Sequence, residues 1–403
     1  MELSIKYQGK IQAHIKVSKA ELKYNGFILN KSFIIEDVIV NGLSSNYSIE
    51  LSDDHQYQII TISSGINAVN YMEVKYSGSL DGTTGLWPYV KEITLPEFAL
   101  LRFETLCFPF FIKSIEDKEL YSYVHSGFHL DSKITVSCNN HLTVFSNLPL
   151  ENLATINNEK IFEFRGSFLN FVVGKFEQLK IPYGSINYLI GKEVKLDLKN
   201  IIDITIKYMS EYYGEVLIDD INIICIPEYL GSFVDKHTVF LALDALSDVR
   251  FIIHEIIHIG WNPLVELNAQ RTRFFDEAIT QYFTARIYDI FEENGSVKTY
   301  KTYQLHFKKT IKKHNISLVP LIDYGKYEYG DLSYSYGPLV LKAIEERIGV
   351  SNIDSVLRAM LAKYRYQEIN FSKFFKLFDG YNINDIIEFY FYTTKGQNHI
   401  LEN

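Results

Sequence analysis

Cysteine is scarce in this chain: Cys107, Cys138 and Cys225 are the only three in 403 residues, far apart and without C-x-x-C spacing. An odd, scattered set excludes a disulfide scaffold and reads as buried free thiols in a reducing compartment. Long apolar runs are missing as well. No stretch approaches the length that spans a bilayer, and Met1-Glu2-Leu3-Ser4-Ile5-Lys6 shows no basic segment followed by an apolar run. The expectation is a soluble, cytoplasmic protein with neither a membrane partner nor a secretory signal. Positive charge is also in deficit. The net charge is -9 and no long basic cluster offsets it, which argues against nucleic acid as a partner. The nearest thing to a basic patch, Lys308-Lys309-Thr310-Ile311-Lys312-Lys313-His314, has the spacing of a solvated helix face. No internal repeat stands out.

Hydrophobic residues at 47% and aromatics at 15%, spread along the whole length, imply a folded globular protein and leave no long disordered tail. At this length two domains are expected. From Met1 to about Tyr188 the pattern has period two: Leu3, Ile5 and Tyr7 alternate with Ser4, Lys6 and Gln8. The alternation recurs at 34–40, 57–62, 133–137, 141–146 and 160–165, with Asp81-Gly82 and Asn139-Asn140 as turns. Residues 1–188 therefore read as an antiparallel β domain. Near Tyr188 the period changes. Leu198, Ile201, Ile202, Ile206 and Met209 fall at helical spacing, followed by short buried strands at 221–226 and 238–243. Asp244 is positioned to cap a helix running through 248–258, which Asn262-Pro263 breaks. A second helix is expected over 265–292, ended by Asn294-Gly295. Further helices follow, one with Pro338 near its start and Gly349 after its end, then a short tail beyond Gly396. The fold class is α+β, with 189–403 forming a mainly helical domain.

Within that domain His254-Glu255-Ile256-Ile257-His258 reads H-E-x-x-H. Histidines four apart lie one above the other on a helix face, so both imidazoles can reach a single metal ion, with Glu255 beside it. Catalytic zinc takes three protein ligands and leaves a position for water, which a neighbouring carboxylate can deprotonate. A third ligand must come from elsewhere. The H-E-x-x-H-x-x-G-x-x-H solution is excluded, because Trp261 and Leu264 stand where it requires glycine and histidine. Glu277 follows His258 after eighteen residues, enough chain to turn and bring a second helix back over the first. Phe274, Phe275, Ala278, Ile279, Tyr282 and Phe283 surround it, and a carboxylate buried there costs several kcal/mol unless paired or bound to metal. Asp276 is either a partner for an imidazole or a plain helix charge. Two imidazoles and a carboxylate suit one Zn2+ per chain, although manganese, cobalt or iron fit the same ligands.

This constellation resembles the gluzincin aminopeptidases of the aminopeptidase N and leukotriene hydrolase family. Phe274-Phe275-Asp276-Glu277-Ala278 is similar to their W-L-N-E-G segment, and Tyr334-Ser335-Tyr336-Gly337 to their Y-x-K-G motif, with Tyr336 in place of the lysine. Less specifically, 164–174 is similar to the end of their β domain. The resemblance implies a thermolysin-like catalytic domain, a peptide substrate, Glu255 as general base and Tyr334 as oxyanion stabiliser. The family's G-x-M-E-N loop, whose glutamate grips a free amine, falls near Gly231-Ser232-Phe233-Val234-Asp235, with Val234 at the glutamate position. Asp235 or Glu228 would hold the amine instead, or each is an ordinary loop carboxylate. The larger members also carry a C-terminal helical domain beyond the point where this chain ends. The cleft is then open, or a protein partner or oligomer covers it. Three functions follow from these features: an aminopeptidase-like hydrolase, a dedicated processing endopeptidase or amidase, and a non-catalytic peptide-binding protein on the same scaffold.

Overall fold

The structure is a computed structural model that describes residues 1–18, 26–52, 57–63, 69–80, 93–111, 132–167, 169–213, 220–235, 237–261, 264–265, 272–327, 329–365 and 367–403. The Asp81-Gly82 turn and the Asn262-Pro263 break lie outside these residues. Packing divides the chain into two compact units, 1–193 with 221–244, and 194–220 with 245–403. The units interleave along the chain, whereas the division at 188/189 read from sequence is consecutive.

The first unit is built of sheets. The largest has eight strands in the order Leu150–Ile156, Glu159–Gly166, Ser132–Asn139, Glu2–Tyr7, Ile11–Ser18, Tyr71–Gly78, Phe33–Val40, Leu43–Ser44. Its neighbours are antiparallel except Glu2–Tyr7 against Ser132–Asn139, which run parallel. The alternation seen in sequence sets the faces: Leu3, Ile5 and Tyr7 pair across to Ile15, Ala13 and Ile11, all of them buried. Asn157 and Asn158 both adopt left-handed φ, 49° and 66°, as a two-residue hairpin requires. A five-stranded sheet closes this unit. In it Gly184–Leu189, Ile221–Ile226 and Thr238–Ala242 run parallel, and Phe233–Asp235 forms an antiparallel edge. Ile221–Ile226 is buried nearly throughout, as a strand in a parallel sheet with covered faces should be. All three cysteines are free and buried.

The second unit is mainly helical: α1 (Leu198–Tyr213), α2 (Val249–Gly260), α3 (Ile279–Tyr288), α4 (Gly295–His314), α5 (Gly330–Ile348) and α6 (Val350–Tyr364), followed by shorter helices. Several details differ from the sequence reading. Asp248 rather than Asp244 caps α2, its carboxylate accepting from the Arg250 N–H at 2.9 Å. The second helix does not start at Val265. Leu264–Val265 pairs in parallel with Glu368–Ile369, and Phe274–Ala278 is a π-helical turn. Pro338 sits inside α5, not near its start. Residues beyond Gly396 are no tail: Lys395–Glu402 is a helix with Gln397 and Ile400 buried, and Gln397 donates to the Val319 carbonyl at 2.5 Å. Gly349 ends α5 with φ 87°, its N–H returning to Glu345 at 2.7 Å. No helix among the described residues is long and apolar enough to cross a membrane.

Candidate metal centre

The site is assembled from three elements of the second unit. In α2, Ile252, Ile253, Ile256, Ile257 and Ile259 are buried, so the helix is enclosed nearly all round and its polar residues must find partners inside. His254 and His258 lie along one face with ring centroids 4.7 Å apart and planes nearly perpendicular, at 87°. Past the end of α2, the Trp261 indole donates to the Phe275 carbonyl at 2.7 Å, tying that end to the element that carries the third candidate ligand.

That element, Phe274–Ala278, is a π-helical turn leading directly into α3. The Arg273 carbonyl accepts from both Glu277 and Ala278, at 2.9 and 3.2 Å, the second closing the wider ring. Phe274 and Phe275 anchor the turn from below, with centroids 5.0 to 5.7 Å from Phe371 and Phe374. Glu277 is thereby aimed at the histidines. Its Oε2 lies 3.1 Å from His254 Nε2 and 3.3 Å from His258 Nε2, and the two Nε2 atoms are 3.1 Å apart.

This triangle tests the fit of a metal. Ligand atoms about 2.0–2.1 Å from a tetrahedral zinc lie about 3.3 Å from one another, close to the three edges observed. Three lone-pair acceptors facing one another this closely repel unless a proton or a cation lies among them. Glu277 Oε2 is buried with no hydrogen-bond partner among the described residues. The residues fit a divalent ion, and the three form a metal-competent group.

Surrounding charges orient the ligands. Asp276 Oδ1 faces His258 Nδ1 at 3.2 Å, which places the imidazole proton on Nδ1 and turns the Nε2 lone pair inward. Of the two sequence readings of Asp276, the geometry is that of the imidazole partner. The Thr280 hydroxyl donates to the Asp276 carbonyl at 2.8 Å, fixing that turn. Arg273 reaches Glu277 Oε1 and, at 3.1 Å, Asp276 Oδ2. Burial acts to raise the Glu277 carboxyl, but Arg273, His258 and His254 together hold it well below the usual carboxylate range. Burial likewise pushes the Glu255 carboxyl up, against the pull of His254 and His258.

Tyr334 enters from α5. Its ring centroid is 6.3 Å from that of His254, and the Arg273 guanidinium lies 5.9 Å from its ring. Burial raises its phenol well above 10, with Arg273 opposing and Glu277 reinforcing. Gly337, one turn on, explains the approach: a Cβ there would lie 2.2 Å from Ala278 Cβ, so only glycine lets α5 pass this close to the π turn. Pro338 lacks the N–H that would otherwise bond the Tyr334 carbonyl. Tyr336 is core, its hydroxyl donating to the Tyr390 carbonyl at 3.0 Å.

Gly231, Asp235 and Glu228 belong to the first unit. Gly231 takes φ 74° and Glu228 is exposed. Asp235 Oδ2 accepts from the side-chain amides of Asn147 and Asn170 at 2.6 and 2.7 Å, so this carboxylate is engaged within its own unit. Arg273, Thr280 and the Trp261 indole were not singled out from sequence. The i,i+4 spacing of Arg273 to Glu277 was the available signal.

No family model matches the chain. Among curated proteins it is similar to a probable aminopeptidase 2 of Sulfurisphaera tokodaii, 21% identical over 302 residues, covering 66% of this chain and 38% of that protein. It is also similar to a leucyl aminopeptidase of Saccharolobus solfataricus, 24% identical over 282 residues, covering 60% of this chain and 35% of that protein. Among solved structures, native yeast LTA4 hydrolase matches with TM-score 0.62 at 14% identity, covering 97% of this chain and 67% of that one. The M1 zinc metallopeptidase of Deinococcus radiodurans matches with TM-score 0.63 at 11% identity, covering 97% and 92%. The chain shares the fold of these metallopeptidase and hydrolase structures. It spans well under half the length of the two curated relatives. That fold accounts for the order of its parts, a β-rich N-terminal portion followed by a helical one. A variant of the Deinococcus enzyme has been solved with a Tyr-Ser-Ala substrate bound.

Proposed function

We propose that this protein is a zinc metallopeptidase, aminopeptidase-like, that hydrolyses peptide bonds with Glu255 as general base. The convergence of His254 Nε2, His258 Nε2 and Glu277 Oε2 within 3.3 Å of one another carries the reading. Zinc held by these three supplies a Lewis acid that polarises the scissile carbonyl and makes water a usable nucleophile at neutral pH. Glu255 takes the proton from the attacking water and passes it to the leaving amine, a task that its raised pKa favours. Tyr334, protonated throughout because its phenol lies well above 10, donates to the developing oxyanion. Arg273, Asp276 and Thr280 hold the ligands still while this happens.

A dedicated processing endopeptidase or amidase is the second reading. Val234 stands where the family's amine-gripping glutamate is expected, and Asp235 is already held by Asn147 and Asn170. A mixed peptide library, with Glu255→Gln as control, tests both. Cleavage that requires a free N-terminus supports the aminopeptidase, and cleavage indifferent to acetylation supports the second reading. A zinc-loaded protein inactive on every peptide removes both and leaves a peptide-binding protein on a peptidase scaffold.

A further inference from the structure

Arg273 occupies an unusual position. It is the N-cap of the π turn, in left-handed conformation at φ 55° and ψ 18°, with no side-chain capping bond. Helix starts favour small polar residues, and the left-handed region favours glycine or asparagine, so an arginine here needs a compensating contact. Its side chain supplies one. The same residue closes the turn through its carbonyl, which accepts from Glu277 and Ala278, and grips the turn through its guanidinium, which holds Glu277 Oε1 and Asp276 Oδ2.

We infer that Arg273 is a positioning residue that makes Glu277 a one-oxygen ligand and, through Asp276, sets the orientation of His258. The inference rests on the metal-site reading above. A carboxylate offers two equivalent oxygens, and one buried beside a cation without other partners is free to ligate with both. Here Oε1 is taken by the guanidinium, and only Oε2 faces the histidines. Asp276 and Glu277 are also adjacent like charges, and the guanidinium bridges them. Asp276 in turn faces His258 Nδ1 at 3.2 Å, so one cation orders two of the three ligands. A planar fork with several donors suits this double grip, whereas an ammonium is a point charge.

The test uses purified full chain, with zinc affinity measured by competition against a chromophoric chelator and coordination number read from the visible absorption of the cobalt(II)-substituted protein. Arg273→Met is expected to weaken zinc binding about 10–100-fold, the range typical for partners that orient ligands. Its cobalt band is expected to lose intensity as Glu277 ligates through both oxygens. Arg273→Lys keeps the charge without the fork, and the same spectral change with a smaller loss of affinity is expected. Wild-type affinity with an unchanged cobalt spectrum in Arg273→Met overturns the inference. Should that variant not fold, an unchanged spectrum in Arg273→Lys overturns it instead. A wild-type protein that binds neither zinc nor cobalt sinks the metal reading itself, an outcome distinct from either.

Discussion

Replacing Gly337 by alanine should detach Tyr334 from the metal group without removing a ligand. The new methyl would lie 2.2 Å from Ala278 Cβ and 3.3 Å from Phe274 Cδ2. Carbon atoms pack at about 3.5–4.0 Å, so α5 and the π turn must part by roughly 1.5 Å. Overpacking of this kind costs about 1–3 kcal/mol of stability. Tyr334 lies one turn from Gly337 on α5, and a misplacement of about 1 Å can cost on the order of 100-fold in rate. Turnover should therefore fall by about that factor, while the zinc content of the proposed site, whose ligands lie on α2 and the π turn, stays unchanged. The control removes the other half of the clash. With Ala278→Gly added, the nearest remaining contacts are Phe274 Cδ2 at 3.3 Å and Ala278 Cα at 3.5 Å, which are tolerable. The double variant should recover most of the lost turnover, less about 0.5–1 kcal/mol of stability for glycine in a helix. Steady-state kinetics with metal analysis decides the matter. Wild-type turnover in Gly337→Ala, or a double variant no better than the single one, refutes the reasoning.

Two further outcomes follow from the site. Tyr334→Phe should lower kcat by about 100- to 1,000-fold with little change in KM, since in the proposed mechanism the hydroxyl acts on the developing oxyanion, and equal loss in both parameters would assign it to ground-state binding. Trp261→Phe removes the indole donor and leaves the buried Phe275 carbonyl short of a partner, at a cost of about 1–3 kcal/mol in urea denaturation. An unchanged denaturation midpoint would show that the tie between α2 and the π turn is dispensable.

Sequence reading went furthest where the determinant is local. The i,i+4 histidines on an apolar helix, and a carboxylate at Glu277 flanked by aromatics, were both visible because burial and helical spacing leave periodic traces. The strands of the first unit were visible for the same reason at period two. What escaped was set by geometry that leaves no period. A π turn five residues long is indistinguishable from α-helix in its pattern, so Phe274–Ala278 reads from sequence as ordinary helix. Pro338 reads as a boundary and in fact lies within α5, where its missing donor touches only the Tyr334 carbonyl. The packing of 221–244 with the first unit depends on parallel pairing with Gly184–Leu189 across α1, a long-range choice that no local signal records.

The π turn also determines where this chain tolerates changes in length. An α-helix advances about 100° per residue, so deleting one residue between Phe274 and Ala278 would swing Glu277 off its direction relative to everything before Arg273. Natural variation in length should therefore collect in surface connections, such as the hairpin at Asn157-Asn158, and spare this stretch. Gaps opened here when distant relatives are aligned would mark alignment errors, which makes the five residues a fixed ruler for placing divergent sequences in register.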